Sequence, residues 1–568
     1  MTFAQSDSLL PAAPVAYFCM EVALSSDIPT YAGGLGVLAG DFLLGAADAG
    51  VPLIAVTLVH RKGYLRQRLD TRGRQLDRPA DWQPETRLEA VRERVAITLE
   101  GRVVQVGAWR AVVPGVRGST VSVYLLDTDV TDNRPEDRTI TNALYGGDQR
   151  NRLMQEAVLG LGGVALLRAL GVTPRVYHMN EGHAALLTLA LLADEPKLVD
   201  RTVPAPDRVR ERCVFTTHTP VPAGHDRFPI SLVRQVLGPE LSALAQKSGA
   251  VRAGVLNMTA LALRYSRYVN GVAMRHGEIA ARMFPRYPIN AITNGVHAVT
   301  WAAPSMAQLY DKYMPEWRHD NLYLRYAIRC PLDEIREAHM SAKAELIAAV
   351  ARRTKVSLDA RALLIGFARR ATPYKRANLI FHDVARLRGI AHRSGPLQLL
   401  FAGKAHPQDD GGKQMIESVV AAAKTLRPDV AVLYLEDYDI ALAKQMVAGV
   451  DLWLNTPQKP MEASGTSGMK AALNGVPSLS VLDGWWVEGH IESVTGWRIG
   501  DESLRSDDAK EAESLYRTLE EIVLPMFHTR PLAYAAVMRA AIVHNGSFFT
   551  AQRMVAQYVE DAYRAPPS

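Results

Sequence analysis

Ala362-Leu363-Leu364-Ile365-Gly366-Phe367, followed by Ala368-Arg369-Arg370-Ala371-Thr372-Pro373-Tyr374-Lys375-Arg376, reads as a buried strand running into a cationic turn. A short apolar run without alternation suits a strand covered on both faces. Downstream, such runs alternate with helical patterns. A helix is predicted over 376–387, a strand over 397–401, a helix over 412–425 and a strand over 430–433. A helix over 440–448, a strand over 451–454, a helix carrying Lys470 and a strand over 477–481 complete the series. This rhythm predicts a doubly wound parallel sheet, which collects ligands outside the carboxyl ends of its strands.

The first half is also α/β but less regular. Strands are predicted over 175–179 and 213–216, with a helix over 182–193 and a buried, nearly all-apolar helix over 155–170. Around 300–345 the pattern turns helical and charged, and the domain junction is placed there. The expected domains are 1–320, 321–545 and a C-terminal helix within 546–568. That helix shows Met554, Val555, Tyr558 and Val559 on one face.

Composition narrows the class. With 48% hydrophobic and 22% charged residues, the chain of 568 residues has ample core for more than one domain. The net charge of +6 is spread without a long basic run, so no nucleic-acid partner is indicated, though anionic substrates would suit it. Cys19, Cys213 and Cys330 are odd in number and far apart, which predicts a reducing compartment and a cytoplasmic location. No basic segment precedes an apolar run at the N-terminus. Apolar stretches such as 184–193 fall short of the roughly 20 residues a membrane helix needs, so no membrane partner is expected.

Glu462-Ala463-Ser464-Gly465-Thr466-Ser467-Gly468-Met469-Lys470 carries the chemistry. Small residues and glycines lead into a helix that holds one lysine. Free N–H groups at such a helix start attract a phosphate, and a nearby amine can reach an aldehyde on the same molecule. Phosphate plus aldehyde describes pyridoxal phosphate held as a Schiff base. The local pattern alone fits equally a glycine-rich turn capping an ordinary helix.

The segment resembles the cofactor-lysine signature of the α-glucan (glycogen, starch, maltodextrin) phosphorylases. That signature runs Glu-Ala-Ser-Gly, then spaced Gly/Ser and Met-Lys, then Leu/Met and Asn, and every fixed position is met from Glu462 to Asn474. The resemblance implies a GT-B arrangement, with two Rossmann-like domains facing across a catalytic cleft. It implies pyridoxal 5′-phosphate on Lys470, with Thr466, Ser467 and Gly468 at its phosphate. Arg370 and Lys375 match ligands of substrate phosphate, Arg369 stands where a lysine lies near the cofactor phosphate, and Tyr374 matches a sugar- and phosphate-side tyrosine. Tyr438 aligns with a tyrosine near the cofactor. Glu462, Ser464 and Gly465 fall on the glucose side, Glu462 binding a hydroxyl.

Further blocks carry the same resemblance. Tyr31-Ala32-Gly33-Gly34-Leu35-Gly36 is similar to a glycine loop over the active site, with Gly34 and Leu35 as N–H donors to phosphate or sugar and Gly34 also near the cofactor. Phe215-Thr216-Thr217-His218-Thr219-Pro220-Val221-Pro222-Ala223-Gly224-His225-Asp226 places His218 at the reacting glucose; the roles of His225 and Asp226 stay open. His178-Met179-Asn180-Glu181-Gly182-His183 assigns Glu181 and His183 to the sugar, and its histidine spacing is not that of a zinc helix, so no metal is expected. Asn294, in Thr293-Asn294-Gly295, matches a residue near the glucose.

The implied reaction is retaining phosphorolysis of terminal α-1,4-linked glucose to α-glucose 1-phosphate, with His218, Arg370, Lys375 and Lys470 as catalytic residues. In this family the cofactor phosphate relays a proton to the substrate phosphate, which suits a site rich in cations. The partners are an α-glucan and inorganic phosphate, with a homodimer a family-level expectation. A glucan synthase using a nucleotide sugar is the rival enzyme. Synthases carry a lysine shortly before the paired glycines, where this chain has Tyr31 and Ala32. A non-catalytic glucan-binding scaffold is the rival from another class. The chain starts almost at its first motif, Tyr17-Phe18-Cys19-Met20-Glu21, as in compact bacterial and archaeal forms, so control by AMP or phosphorylation is not expected. Glucan chain length stays open.

Overall fold

The computed structural model describes residues 13–195, 205–221 and 224–564. Pro222 and Ala223 of the His218 block, and the outer ends of the predicted domains 1–320 and 546–568, lie outside the described residues. The chain divides into two compact units, one of Met1–Leu65, Pro79–Thr293 and Met554–Ser568, the other of Arg66–Arg78 and Asn294–Arg553.

The second unit is built on a six-stranded parallel sheet in the order Ala431–Leu435, Leu397–Ala402, Leu363–Ala368, Leu452–Asn455, Ser478–Val481, Gly496–Ile499. Its centre is apolar on both faces, with Phe401 and Trp453 fully buried, and Trp497 on the edge strand is buried as well. Five of these strands correspond to predicted ones. Gly496–Ile499 does not, because Gly496 and an exposed Arg498 leave only Trp497 and Ile499 as an apolar signal.

The predicted helix over 376–387 is corrected. Arg376 turns into the left-handed region (φ 46°), a single 3-10 turn spans Leu379–Phe381, and the helix proper is Val384–Ser394. Asp383 sets that start, since its carboxylate accepts the Arg386 N–H at 2.8 Å. The hairpin Arg66–Leu69/Gln75–Arg78 belongs to this unit through its inward glutamines. Gln67 donates to the Gly403 carbonyl at 2.8 Å, and Gln75 to the Ala405 carbonyl at 2.9 Å.

The first unit carries a ten-stranded sheet. Its parallel part runs Asn290–Ala291, Tyr268–Gly271, Cys213–Thr216, Val176–Asn180, Val15–Phe18, Leu53–Leu58, Thr120–Asp127. Arg102–Pro114 then adds antiparallel to Thr120–Asp127, with Glu89–Ala90 and Val95–Leu99 paired to it. This extension is absent from the sequence reading, because its outer strands alternate polar and apolar residues and expose one face. The helix predicted over 155–170 begins earlier, at Gln149, where Asp148 accepts the Asn151 N–H at 2.8 Å. It passes through a π-turn, Val158–Gly162, before Gly163–Ala169.

The two compact units divide at Thr293/Asn294. The Val296 N–H donates to Phe549 O at 3.0 Å and the Ala551 N–H to Val296 O at 2.8 Å, so the chain from Asn294 onward is tied to the segment around 550. Those backbone pairs carry no sequence pattern. The terminal segment from Met554 packs within the first unit. Tyr558 Oη lies 3.0 Å from Thr216 Oγ1 and accepts from Asn270 Nδ2 at 2.9 Å, and Tyr563 Oη lies 2.7 Å from His178 Nδ1.

Candidate functional site

In the second unit, the central strand Leu363–Ala368 ends at Arg369, at the carboxyl edge where a parallel sheet presents ligands. Arg369 donates from Nη2 to Glu462 Oε2 at 2.6 Å, and Lys375 Nζ meets the same oxygen at 2.5 Å. All three side chains are nearly buried. Burial alone would raise the Glu462 carboxyl, but the two cations outweigh it and hold it down at about 2. Arg369 Nε and Nη1 are buried and meet no hydrogen-bond partner among the described residues. Buried guanidinium donors normally find partners, so these point to an anion. Arg370 is exposed beside them, and Tyr374 packs its ring 4.5 Å from the Lys375 ammonium. Arg376, the fourth cation of the turn, is spent on structure: it donates to the Thr456 and Pro457 carbonyls and pairs with Asp508 and Glu511.

From Glu462 the backbone runs directly to the lysine. Gly465 takes φ 87°, a left-handed turn that starts the helix Thr466–Leu473. The first-turn N–H groups of Thr466, Ser467 and Gly468 have no intrahelical acceptor, and the dipole adds positive potential there. Ser467 Oγ accepts from Trp453 Nε1 at 3.1 Å, and Ser464 Oγ is buried without a partner among the described residues. Lys470 is 6% exposed, its Nζ 4.0 Å from the centre of the Trp301 ring. Asn474 fixes both: its Nδ2 donates to the Lys470 and Trp301 carbonyls, each at 2.9 Å.

The first unit carries a second group of predicted residues. Glu181 sits at φ 85°, just beyond the strand Val176–Asn180. Its Oε1 accepts the Gly182 N–H at 2.8 Å; its Oε2 accepts the His218 N–H at 2.7 Å and the Thr219 hydroxyl at 3.0 Å. Burial raises its carboxyl from the ordinary value, against these three donors. His218 Nε2 lies 2.7 Å from Asn180 Oδ1, and Asn180 Nδ2 donates to Cys19 Sγ. The ring proton therefore sits on Nε2. Burial pushes the imidazole well below its ordinary value, so it is neutral at physiological pH.

His183 is 2% exposed and accepts the Met20 N–H at Nε2, while His60 donates from Nε2 to the Met20 carbonyl, both at 2.9 Å. Met20 is thus pinned from both sides. Glu21, next in the chain, accepts the Ala32 N–H at 2.7 Å and the Gly33 N–H at 3.3 Å, fixing the glycine loop. The helix Gly34–Asp48 follows, with Gly34 exposed and Leu35 half-buried.

Among the predicted residues, the structure brings together Arg369, Arg370, Tyr374, Lys375, Glu462 and Ser464 through Lys470 in one unit, and Glu181 with His218 in the other. Asn294, predicted near the end of the first domain, belongs to the second unit; its side chain is buried with Oδ1 unmet among the described residues. Tyr438 lies half-buried in the turn between Ala431–Leu435 and Ile440–Gly449. His225 is tied to Thr259 Oγ1 at 2.8 Å, and Asp226 accepts from Arg152 at 2.8 Å. No group of three metal-ligating side chains occurs among the described residues, and no described helix is long and apolar enough to cross a membrane. Sequence reasoning missed Glu21, Trp301 and Asp483. Each acts through a backbone or ring contact with a residue outside its own run, and only the Tyr17–Glu21 block hinted at the first.

Fold and site together define a two-unit α/β protein of GT-B class, with a cation cluster leading into a buried helical lysine. The family model described as Phosphorylase: Carbohydrate phosphorylase matches residues 240–497. Over 97% of its length the chain is 40% identical to maltodextrin phosphorylase of Thermococcus litoralis, of which it covers 70%. Over the same share it is 36% identical to glycogen phosphorylase of Aquifex aeolicus, covering 86% of that protein. It is also 36% identical to glycogen phosphorylase of Mycobacterium tuberculosis, covering 70%. The chain belongs to the carbohydrate phosphorylase family.

Proposed function

We propose that this protein is an α-1,4-glucan phosphorylase, which transfers the terminal glucose of an α-glucan to inorganic phosphate with retention and releases α-glucose 1-phosphate. The observation that carries the reading is the convergence of Arg369 and Lys375 on Glu462, eight residues ahead of the buried Lys470. The residues present fit pyridoxal phosphate: a buried amine for its aldehyde, open N–H groups at Thr466–Gly468 for its phosphate, and unmet donors on Arg369. When bound, that group supplies a phosphate able to exchange a proton with the substrate phosphate.

The chain's own residues do the rest. Arg369, Arg370 and Lys375 offset the repulsion between two phosphate groups, which is severe away from water. Glu462 holds two of these cations in place and offers its carboxylate to a glucose hydroxyl. The substrate phosphate gives its proton to the departing glycosidic oxygen while one of its oxygens bonds to C1. His218, neutral and oriented by Asn180 and Glu181, binds the glucose by hydrogen bonding and carries no charge to the site. In this reading its backbone carbonyl, on the residue whose N–H Glu181 receives, faces the positive charge that develops at C1. His183 serves the sugar side through Met20 and Glu21. Gly34, Leu35, Tyr374, Asn294, Ser464 and Gly465 face sugar or phosphate in this reading, and Tyr438 and Gly34 lie toward the cofactor. A homodimeric assembly is read from the family, and a cytoplasmic location from the three free buried cysteines.

A panel of maltodextrins, starch dextrin and glycogen, each incubated with phosphate, tests the reading, with Lys470→Ala as control. The expected result is glucose 1-phosphate from at least one donor, none from the variant, and a borohydride-trapped pyridoxyl adduct on Lys470 alone. Glucan extension from a nucleotide sugar, with no phosphorolysis and no adduct, would overturn it.

A further inference from the structure

The backbone N–H of Glu462, the residue that anchors two cations, is received by a side chain 21 positions along the chain. The support comes from the exit of the strand Ser478–Val481. Asp483 is 3% exposed and turns its carboxylate back onto the loop. Its Oδ2 accepts the Glu462 N–H at 2.8 Å and its Oδ1 accepts the Gly484 N–H at 3.0 Å.

The next two residues close on the same loop. The Trp485 N–H donates to the Ser464 carbonyl at 2.8 Å. Gly484 takes φ 55°, and a Cβ there would lie 2.4 Å from Ser464 O, so the approach is open to glycine alone. The Trp485 indole covers Gly468, where a Cβ would meet the ring at 2.7 Å. One short turn therefore touches Glu462, which carries the cation anchor, Ser464, which precedes the Gly465 bend, and Gly468, in the first turn of the helix.

We propose that Asp483 is a positioning residue for the anion site, which fixes the Glu462 peptide so that Arg369 and Lys375 converge. This rests on the phosphorylase reading insofar as the anion is substrate phosphate. The side chain of Asp483 need not touch substrate; it acts through Glu462. Without it, the Glu462 and Gly484 N–H groups lose a buried acceptor, and the loop gains freedom at the base of the site. An asparagine keeps the shape and one acceptor, and so preserves the brace in part.

The test measures two quantities on Asp483→Ala, Asp483→Asn and wild-type holoenzyme. One is binding of inorganic phosphate by calorimetry, which needs no turnover. The other is phosphorolysis, split into kcat and the KM for phosphate. Melting temperature and borohydride-trapped cofactor check that each variant is folded and loaded. The alanine variant is expected to bind phosphate about tenfold more weakly, the size of one well-made buried hydrogen bond, with KM rising in step. The asparagine variant should recover most of that loss. An alanine variant that is folded and loaded but binds phosphate as wild type does would overturn the proposal. So would an asparagine variant as weak as alanine. A wild-type protein that binds phosphate but does not phosphorolyse any glucan would sink the functional reading and leave the binding arm to decide the role of Asp483.

Discussion

The carboxylate of Glu181 receives the backbone N–H of His218 at 2.7 Å, across a gap of 37 residues. A side chain at one strand end thus sets the backbone at the neighbouring strand end. The arrangement is costly, because Glu181 is buried and sits at φ 85°. Three N–H or O–H donors offset the burial. Glu181→Gln would turn an NH2 toward one of these donors. We expect a loss of stability of about 1–3 kcal/mol and a larger loss of kcat/KM. Chemical denaturation and kinetics check it; a variant matching wild type in both would show the contact to be incidental.

Glu462→Gln removes the charge that Arg369 and Lys375 share. Breaking a buried ion pair from one side leaves uncompensated charge, at a cost of about 3–5 kcal/mol. Here the cost falls on two cations that phosphate can neutralise. Added phosphate should therefore raise the melting temperature of Glu462→Gln by more than it raises that of wild type. Equal shifts in the two proteins would argue against a shared anion site.

Stability should depend on pH in opposite directions through two neighbours. Arg369 and Lys375 hold Glu462 down at about 2 despite burial, so its contribution is present above its ordinary value of 4.5 and is lost as pH falls toward 2. Burial, aided by the Glu462 charge and opposed by Lys375 and two N–H donors, pushes Asp483 up to about 7 from 3.8. Its contribution is present below 3.8 and is lost as pH rises through 7. Asp483→Asn, which cannot ionise, should thus gain on wild type between pH 5 and pH 8, by an amount on the order of 1 kcal/mol or more. Thermal unfolding at the two pH values decides; an unchanged difference would contradict the shifted carboxyl.

Gly34 opens its helix with no heavy atom within 4 Å of where a Cβ would stand. Gly34→Ala should therefore fold normally, with melting within about 2 °C of wild type. If the loop N–H groups approach sugar or phosphate closely, the added methyl should still lower kcat/KM by about tenfold or more. Unchanged kinetics would remove Gly34 from the site.

The second sheet was legible because its strands are short apolar runs separated by helices, and burial on both faces writes itself into composition. The antiparallel strands Arg102–Pro114 and Thr120–Asp127 were not, since a half-exposed strand looks polar along half its length. The turn 376–383 misled for another reason. Its residues are compatible with a helix, but Arg376 is pulled into a left-handed bend by the Thr456 and Pro457 carbonyls, 80 and 81 positions away.

From the chain alone one reads a lysine behind a glycine-rich helix start, the cation turn and the glycine loop, because each is a local run, and it is their resemblance to the phosphorylase motifs that gives them one chemistry. Only the folded backbone reveals that Glu462 joins Arg369 to Lys375, that Asp483 holds Glu462, and that His183 and His60 clamp Met20. Hydrogen bonds between distant positions follow from how strands are ordered in a sheet, and no short stretch of residues records that order.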